Sequence, residues 1–531
     1  MELSWHSSCT FFQVAWFDIS LMKNILAPGS NCYGIDSAVE TGLLIDGSDY
    51  YRAFCTAASN AERYILLSGW QFDSDVQLVR GENCSPAETT LLSFLNHLCE
   101  NKPELRIYIL AWNFSMIYFV DREWLQRWYF RWNANERIQF CFDSYHPFGA
   151  SHHQKFVVID GRLAFLGGLD ICSGRWDERD HRATNPRRVN TNGTPYPPFH
   201  DVQTYHVGAP AGRLAKFFQE QWSLVCGSPL ELPAPTSYPV PRFYNRRRID
   251  VAQVALSRTQ VKPLESGNES VREIRRLFRD AVDAAEALIY VENQYFSSHA
   301  LFEALLRRMR KRGRPRLEIV LMLAKEANAF VEQASIGIAQ AKIIRQLKQV
   351  ADETGHRLGI FYPASRTEDG EEAPTYIHSK LMLVDDEFLS VGSANMNNRS
   401  MGLDTELNVS WQARPSDDDA RRSICAARLD LLAEHTGVES AVDDLAPVEG
   451  LVDRLEALAQ NRASRLRMHP LLNKAVESDS WLETFFPDGL PLDPEGPVFG
   501  EDTYEELPAD RDTLFPRGIN WLSNLLSKKI E

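Results

Sequence analysis

The residues best placed to do chemistry occur as two copies of one pattern. Ser151–Asp160 reads SHHQKFVVID and Thr375–Asp385 reads TYIHSKLMLVD, and both fit H-x-K-x-x-x-x-D. The first copy supplies His153, Lys155 and Asp160 ahead of Gly167-Gly168. The second supplies His378, Lys380 and Asp385 ahead of Gly392-Ser393, at the same distance. Each motif runs into an apolar stretch of the kind a buried strand makes, Phe156–Ile159 and Leu381–Val384. Side chains two apart on a strand share a face, so each His points with its Lys. The Asp sits seven residues from the His, an odd offset that turns it to the other face or into the following turn and marks it as an organiser of the motif. Small shifts keep one imidazole neutral and a second protonated near pH 7, so a pair of them can divide base and acid work.

The elements around the motifs repeat as well. Strand-like runs lie at Tyr64–Ser68, Arg106–Ala111, Ile138–Phe142, Lys155–Ile159, Ala164–Gly167 and Val202–Val207, with helical patterns at Tyr50–Arg63, Pro86–Glu100 and Ala211–Val225. The second half gives a helix near Val271–Ala284 and strands at Ala287–Val291, Leu317–Leu323, Leu358–Tyr362, Lys380–Val384, Phe388–Val391 and Glu406–Trp411. The shift is 378 − 153 = 225 between the motif histidines and 292 − 68 = 224 between SGWQF and ENQYF, a constancy that duplication produces. The alternation predicts an α/β protein of two tandem α/β/α sandwiches with mixed sheets. Asp201 and Glu406 both open a strand after their motif, but 406 − 201 is 205, so the first half carries about 20 extra residues, which fit the Gly/Pro/Asn-rich loop Cys172–His200, too polar to be core. The expected divisions are an extension over 1–40, a first domain over 41–228, a Pro-rich linker over 229–262, a second domain over 263–440, and a helical and acidic tail over 441–531. The tail reads as solvated, because residues 475–510 hold eleven acids and no Lys or Arg, and as helical at its end, where Ile519, Leu522, Leu525 and Leu526 stand at helical spacing.

Composition narrows the class. The 44% hydrophobic and 24% charged residues describe a globular chain, and a net charge of −15 argues against a general nucleic-acid binder. Nine scattered cysteines without a C-x-x-C pair read as thiols in a reducing compartment. The opening residues lack a basic segment and Asp18 interrupts their apolar run, so they make a poor signal peptide; Met22 offers a second start that would leave 1–21 untranslated. No apolar run reaches the roughly 18 residues of a membrane helix. A cytoplasmic or peripheral membrane protein is expected, with signal-independent export as a further route. The basic run Arg307–Arg316 reads as a solvated helix end ahead of a lipid-attracting patch.

The paired motifs resemble the phospholipase D superfamily, whose signature is this element twice in a chain or once per subunit of a dimer. Ile289–Phe296, IYVENQYF, and Gly167–Asp177, GGLDICSGRWD, resemble the segments around those motifs in phospholipase D enzymes proper, over roughly Asp46 to Ala433. The resemblance implies pseudo-twofold domains in which His153 and His378 approach one phosphate from opposite sides, with Lys155 and Lys380 on its non-bridging oxygens. Together with Asp160 and Asp385 these form the expected catalytic set. Asn395, Asn397 and Gln294 are expected at the substrate. Asp201 and Glu406 are expected to hold the far nitrogen of each imidazole, and Asp170, where a plain repeat would have Asn, to stand behind the site. No metal or other cofactor is called for. The implied activity is hydrolysis of phosphatidyl diesters through a phosphohistidine at His153, with transfer to alcohols. The alternatives are a phosphatidyltransferase like cardiolipin synthase, or a nuclease of the superfamily. The implied partner is phospholipid at a membrane surface, met by a monomer because both half-sites lie in one chain.

Overall fold

The computed structural model describes residues 24–81, 90–112, 130, 133–147, 149–235, 241–261, 270–326, 330–438, 442–470 and 493–495. The first half supplies β1 Gly34–Ile45, β2 Tyr64–Gly69, β3 Arg106–Trp112, β4 Ile138–Asp143, β5 Phe156–Ile159, β6 Leu163–Gly167, β7 Phe199–His200, β8 Val202–Gly208 and β9 Arg247–Arg248. The second supplies β10 Gln253–Gln260, β11 Val271–Arg272, β12 Leu288–Asn293, β13 Glu318–Leu323, β14 Arg357–Arg366, β15 Glu372–Pro374, β16 Tyr376–Ile377, β17 Leu381–Val384, β18 Phe388–Gly392, β19 Glu406–Gln412 and β20 Leu466–Met468.

The two halves build mixed sheets of the same order. The first runs β1-β8-β6-β5-β2-β3-β4, antiparallel as far as β2 and parallel beyond it. The second runs β10-β19-β18-β17-β12-β13-β14 with the same change of sense at β12. β1 belongs to both: Gly34–Ser37 pair with β10 and Ala38–Ile45 with β8. Both faces of the motif strands are buried, as their unbroken apolar runs require. In β17, Leu381 and Leu383 join a core shared with the first half, whereas Met382 and Val384 pack under the second half's own helices.

Asp160 and Asp385, expected among the catalytic residues, lie at the far end of the motif strands from the histidines. Each has a left-handed backbone, φ 50° and 55°. The Asp160 carboxylate accepts from the backbone N–H groups of Glu62, Arg63 and Tyr64 at 2.7–2.9 Å, and that of Asp385 from Glu286, Ala287 and Leu288 at 2.7–2.8 Å. Their oxygens thus secure the segment entering β2 or β12, and they are corrected from catalytic to structural.

Three other expectations change. Gln253–Gln260, inside the span read as linker, is a strand hydrogen-bonded to both β1 and β19. The Cys172–His200 loop buries Trp176, Asp177, His181, Asn185, Arg188 and His200, because its polar groups satisfy one another. In the acidic tail, Asp493 accepts from Ser297 Oγ and the Arg399 N–H, and Glu495 pairs with Arg275 at 2.6 Å; the tail helix expected at Ile519–Leu526 lies outside the described residues. The basic run is tied to the body, with Arg307 on Asp283 and Arg314 on Glu286.

Removing either turn carboxylate breaks three backbone hydrogen bonds at once, one of them to the buried first residue of β2 or β12, so Asp160→Ala and Asp385→Ala should each cost ~2 kcal/mol or more. Urea unfolding checks this; wild-type midpoints for both variants would contradict it.

Candidate active site

The motif histidines are positioned by backbone bonds that cross between the halves. The His378 N–H donates to the carbonyl of His200 at 2.8 Å, where β16 lies parallel to β7. The His153 N–H donates to the carbonyl of Thr405 at 3.0 Å, beside the parallel bridge His152–Thr405. His200 and Thr405 are the residues before Asp201 and Glu406. Each motif is therefore stitched to the segment carrying the other half's acid.

The side chains follow. His378 Nδ1 meets Asp201 Oδ2 at 2.5 Å, and His153 Nδ1 meets both Glu406 oxygens at 3.1 Å. The two expected acids hold the two imidazoles, each across the interface. His153 Nδ1 also lies 3.1 Å from the Ser393 carbonyl, which can only accept. That assigns the proton to Nδ1 and leaves the lone pair on Nε2. Glu406 is fully buried and takes further hydrogen bonds from Ser393 Oγ at 2.5 Å and Ser400 Oγ at 2.6 Å. Opposite Ser393 in the repeat is Gly168, where a Cβ would stand 2.3 Å from Asp201 Oδ1. The small-residue pair after each motif is thus the seat of its acid.

The lysines differ in their company. Lys155 Nζ pairs with Asp170 Oδ2 at 3.1 Å, both buried, while Asp170 Oδ1 accepts from the Trp70 N–H at 2.8 Å. Asp170 is thereby a partner of Lys155. Lys380 has no carboxylate at contact distance among the described residues; it reaches its own His378 carbonyl and, at 3.5 Å, Gln294 Oε1. Gln294 donates to the hydroxyls of Tyr295 and Tyr376 at 2.7 Å, so it orients Lys380. Asn395 is buried, and its amide oxygen has no partner; the amide NH2 is the group that could donate to a phosphate oxygen. Asn397, expected at the substrate, accepts from the Ser400 N–H at 2.9 Å and caps the helix Asn398–Gly402. The cap engages the oxygen alone, and the amide NH2, the group that would donate to a phosphate, takes no part in it.

Arg175 was missed. It lies in the extra loop, its guanidinium 5.0 Å from the centre of the Phe199 ring, which in turn lies 5.3 Å from the His378 ring. Its Nε is buried without a hydrogen-bond partner. The signal was present in GRWD, a cation inside a segment otherwise short of them. The adjacent His152 is not part of the chemistry: it is held between Asp143 at 2.7 Å and Ser68 at 3.0 Å. Trp112 and Trp176 are buried wall residues, and Trp70 stacks on Trp112 at 5.7 Å.

Burial among cations sets the charge states. Burial, then Lys155 and Lys380, holds His153 well below the ordinary imidazole value; burial, then Lys380 and Arg175, does the same to His378. Burial pushes Asp201 up to about 6 and Glu406 up to about 7, and lowers Lys380 to about 7. An anion entering between Lys155, Lys380 and Arg175 reverses this pressure by stabilising every cationic form.

With this geometry in view, the relatives are coherent. Residues 347–477 match the family described as Phospholipase D. The chain is 25% identical over 498 residues to phospholipase D alpha 4 of Arabidopsis thaliana, covering 76% of this chain and 64% of that protein. It is 24% identical over 566 residues to phospholipase D1 of Saccharomyces cerevisiae, covering 88% of this chain and 33% of that protein. Among solved structures, phosphatidylserine synthase of Haemophilus influenzae Rd KW20 aligns with 80% of this chain and 94% of its own at 15% identity and a TM-score of 0.48. Over most of its length the chain is thus similar to phospholipase D proteins, and its second motif lies inside the segment that matches the family. It spans between about a third and two thirds of the length of the curated relatives named.

The pH dependence of anion binding tests the charge states. Lys380 is an ammonium below about 7 and neutral above it. Affinity for sulfate, a dianion throughout, should therefore fall as pH rises through 7 and take up a proton on binding. Titration calorimetry in buffers of different ionisation enthalpy reads both. A flat profile from pH 6 to 9, or one unchanged in Lys380→Gln, would contradict the assignment.

Proposed function

We propose that the protein is a phospholipase D-type phosphodiesterase that cleaves phosphatidyl diesters to phosphatidate and free headgroup alcohol. One observation carries this reading: two imidazoles, each with Nδ1 engaged by a carboxylate of the opposite half, keep their Nε2 atoms for chemistry beside Lys155, Lys380 and Arg175. A tetrahedral phosphodiester needs a nucleophile on one side, a proton donor on the leaving oxygen opposite, and fixed positive charge on the oxygens between.

In the first step His153 Nε2 attacks phosphorus and the bond to the headgroup oxygen breaks. His378 Nε2–H gives that oxygen its proton. Water or an alcohol then gives its proton to His378 and attacks phosphorus, and the bond to His153 breaks. One hard displacement becomes two easier ones. Asp201 and Glu406 steady each imidazolium as it forms, Lys155 and Lys380 hold the non-bridging oxygens, and Arg175 and the Asn395 amide complete the cradle. No step requires a metal. The short Asp201 contact favours a proton on His378, while Arg175 and Lys380 oppose it until the phosphate arrives. We place the nucleophile at His153 by resemblance. The substrate is taken from a membrane surface by a peripheral monomer, since both half-sites lie in one chain and no described helix is long and apolar enough to cross a bilayer.

Mixed phospholipids and, separately, single-stranded DNA should be incubated with the purified protein and the products read by mass spectrometry. Phosphatidate is the expected product, lost in His153→Ala and His378→Ala. DNA cleavage without lipid turnover would overturn the reading. Added primary alcohol should divert product to the phosphatidyl alcohol with retention at phosphorus, because two inversions cancel. Inversion with a chiral phosphorothioate would mean direct attack by water.

A further inference from the structure

Behind the catalytic histidines lies a second cluster of titratable groups that the proposed reaction does not use. Asp46, His181, His200 and Glu434 are each at most 5% exposed, and one ligand atom from each lies within 4.8 Å of all the others. Asp46 begins the helix Asp46–Ser59, His181 and His200 come from the extra loop and β7, and Glu434 comes from the helix Asp418–Thr436 of the second half. His181 Nε2 lies 3.3 Å from Asp46 Oδ2 and 3.1 Å from Glu434 Oε1. His200 Nδ1 lies 3.1 Å from Asp46 Oδ1 and 2.6 Å from the same Glu434 oxygen.

We propose that Asp46, His181, His200 and Glu434 form a closed structural site for a divalent metal ion of the zinc class. A tetrahedral ion with ligands at about 2.0–2.1 Å sets its donor atoms roughly 3.3 Å apart, close to most of these separations. Two imidazoles and two carboxylates suit zinc, and four protein donors leave no open position, the mark of a structural site.

Two observations favour an ion over hydrogen bonds among the four residues alone. Asp46 Oδ2 and His200 Nδ1 face the centre, are buried, and have no partner in hydrogen-bond geometry. Both imidazoles are held by carboxylates on their outward nitrogens: His181 Nδ1 by Asp177 Oδ2 at 3.0 Å, and His200 Nε2 by Glu292 Oε2 at 2.9 Å. Carboxylate–histidine–metal chains have this form, in which the outer acid fixes the tautomer and aims the inner lone pair at the ion. The neighbouring His435 is already engaged with Glu292 at 2.9 Å and stands outside the ligand set.

The site would act at a distance from the chemistry. The Asp46 N–H donates to the Asp201 carbonyl at 2.8 Å, the Asp201 N–H to Asp46 Oδ1 at 3.2 Å, and the His200 carbonyl receives the His378 N–H. A metal at Asp46 and His200 would therefore hold the Asp201–His378 pair from behind, and would tie the extra loop to the second half through Glu434.

Metal analysis of the purified full chain after dialysis against EDTA tests the proposal, since a fully buried ion exchanges only when the protein opens. About one zinc-class ion per chain is expected, with an X-ray absorption spectrum of nitrogen and oxygen donors only, and a clear loss of metal in Glu434→Gln. If that variant fails to fold, wild-type chain unfolded in guanidinium with chelator and refolded with or without zinc gives the same answer: recovery and melting temperature should rise with zinc. Metal-free protein that takes up no zinc on refolding, equal melting with and without it, or sulfur in the coordination shell would each overturn the site.

Discussion

The structure depends on an exchange across its pseudo-twofold interface. An imidazole buried beside two lysines is held in the wrong charge state for acid–base work unless a carboxylate stands behind it, and in this chain each carboxylate comes from the other half. Glu406 backs His153 and Asp201 backs His378, and the backbone repeats the exchange one residue earlier, at Thr405 and His200. Neither half contains a complete acid–base unit, so duplication here produced a single composite centre. The glycine and serine after the motifs complete the arrangement, because each leaves room for, or binds, the acid of its own half, which then reaches across to the other half's imidazole.

Desolvation then sets how the centre works. Burial lowers both imidazoles and Lys380 and raises both acids, so the empty site is poised short of the cationic forms that catalysis needs. On the proposed reading a phosphodiester supplies the missing negative charge, so substrate binding and protonation are coupled. Asp170 gives Lys155 a permanent partner, while Lys380 leans only on carbonyl and amide oxygens, which makes Lys380 the more responsive of the pair. Arg175 adds positive charge on the His378 side, where the repeat has no counterpart. The cluster around Asp46 and Glu434 braces that same side.

Much of this was legible from spacing. The motif pairs, the repeat and the two supporting acids all followed from offsets near 225 and 205, because duplicated sheets keep their strand lengths. Which acid serves which histidine was not legible, since it depends on how the halves face each other. The capping role of Asn397 was not legible, because phosphate donors and helix N-caps share a residue type and only the engaged Ser400 N–H reveals the cap. Polarity in Cys172–His200 was taken for solvent exposure. A mutually satisfied buried network has the same composition, and Arg175 and His181 were hidden inside it.

The exchange is tested most directly by trapping the covalent intermediate on a substrate with an activated phenol as leaving group, which needs no general acid. Acid quench and peptide mapping after one turnover should find the phosphoryl group on His153 in the wild type. It should persist in Asp201→Asn and fall steeply in Glu406→Gln, the acid supplied by the opposite half. Trapping that survives in Glu406→Gln but is lost in Asp201→Asn would tie His153 to the acid of its own half and contradict the account.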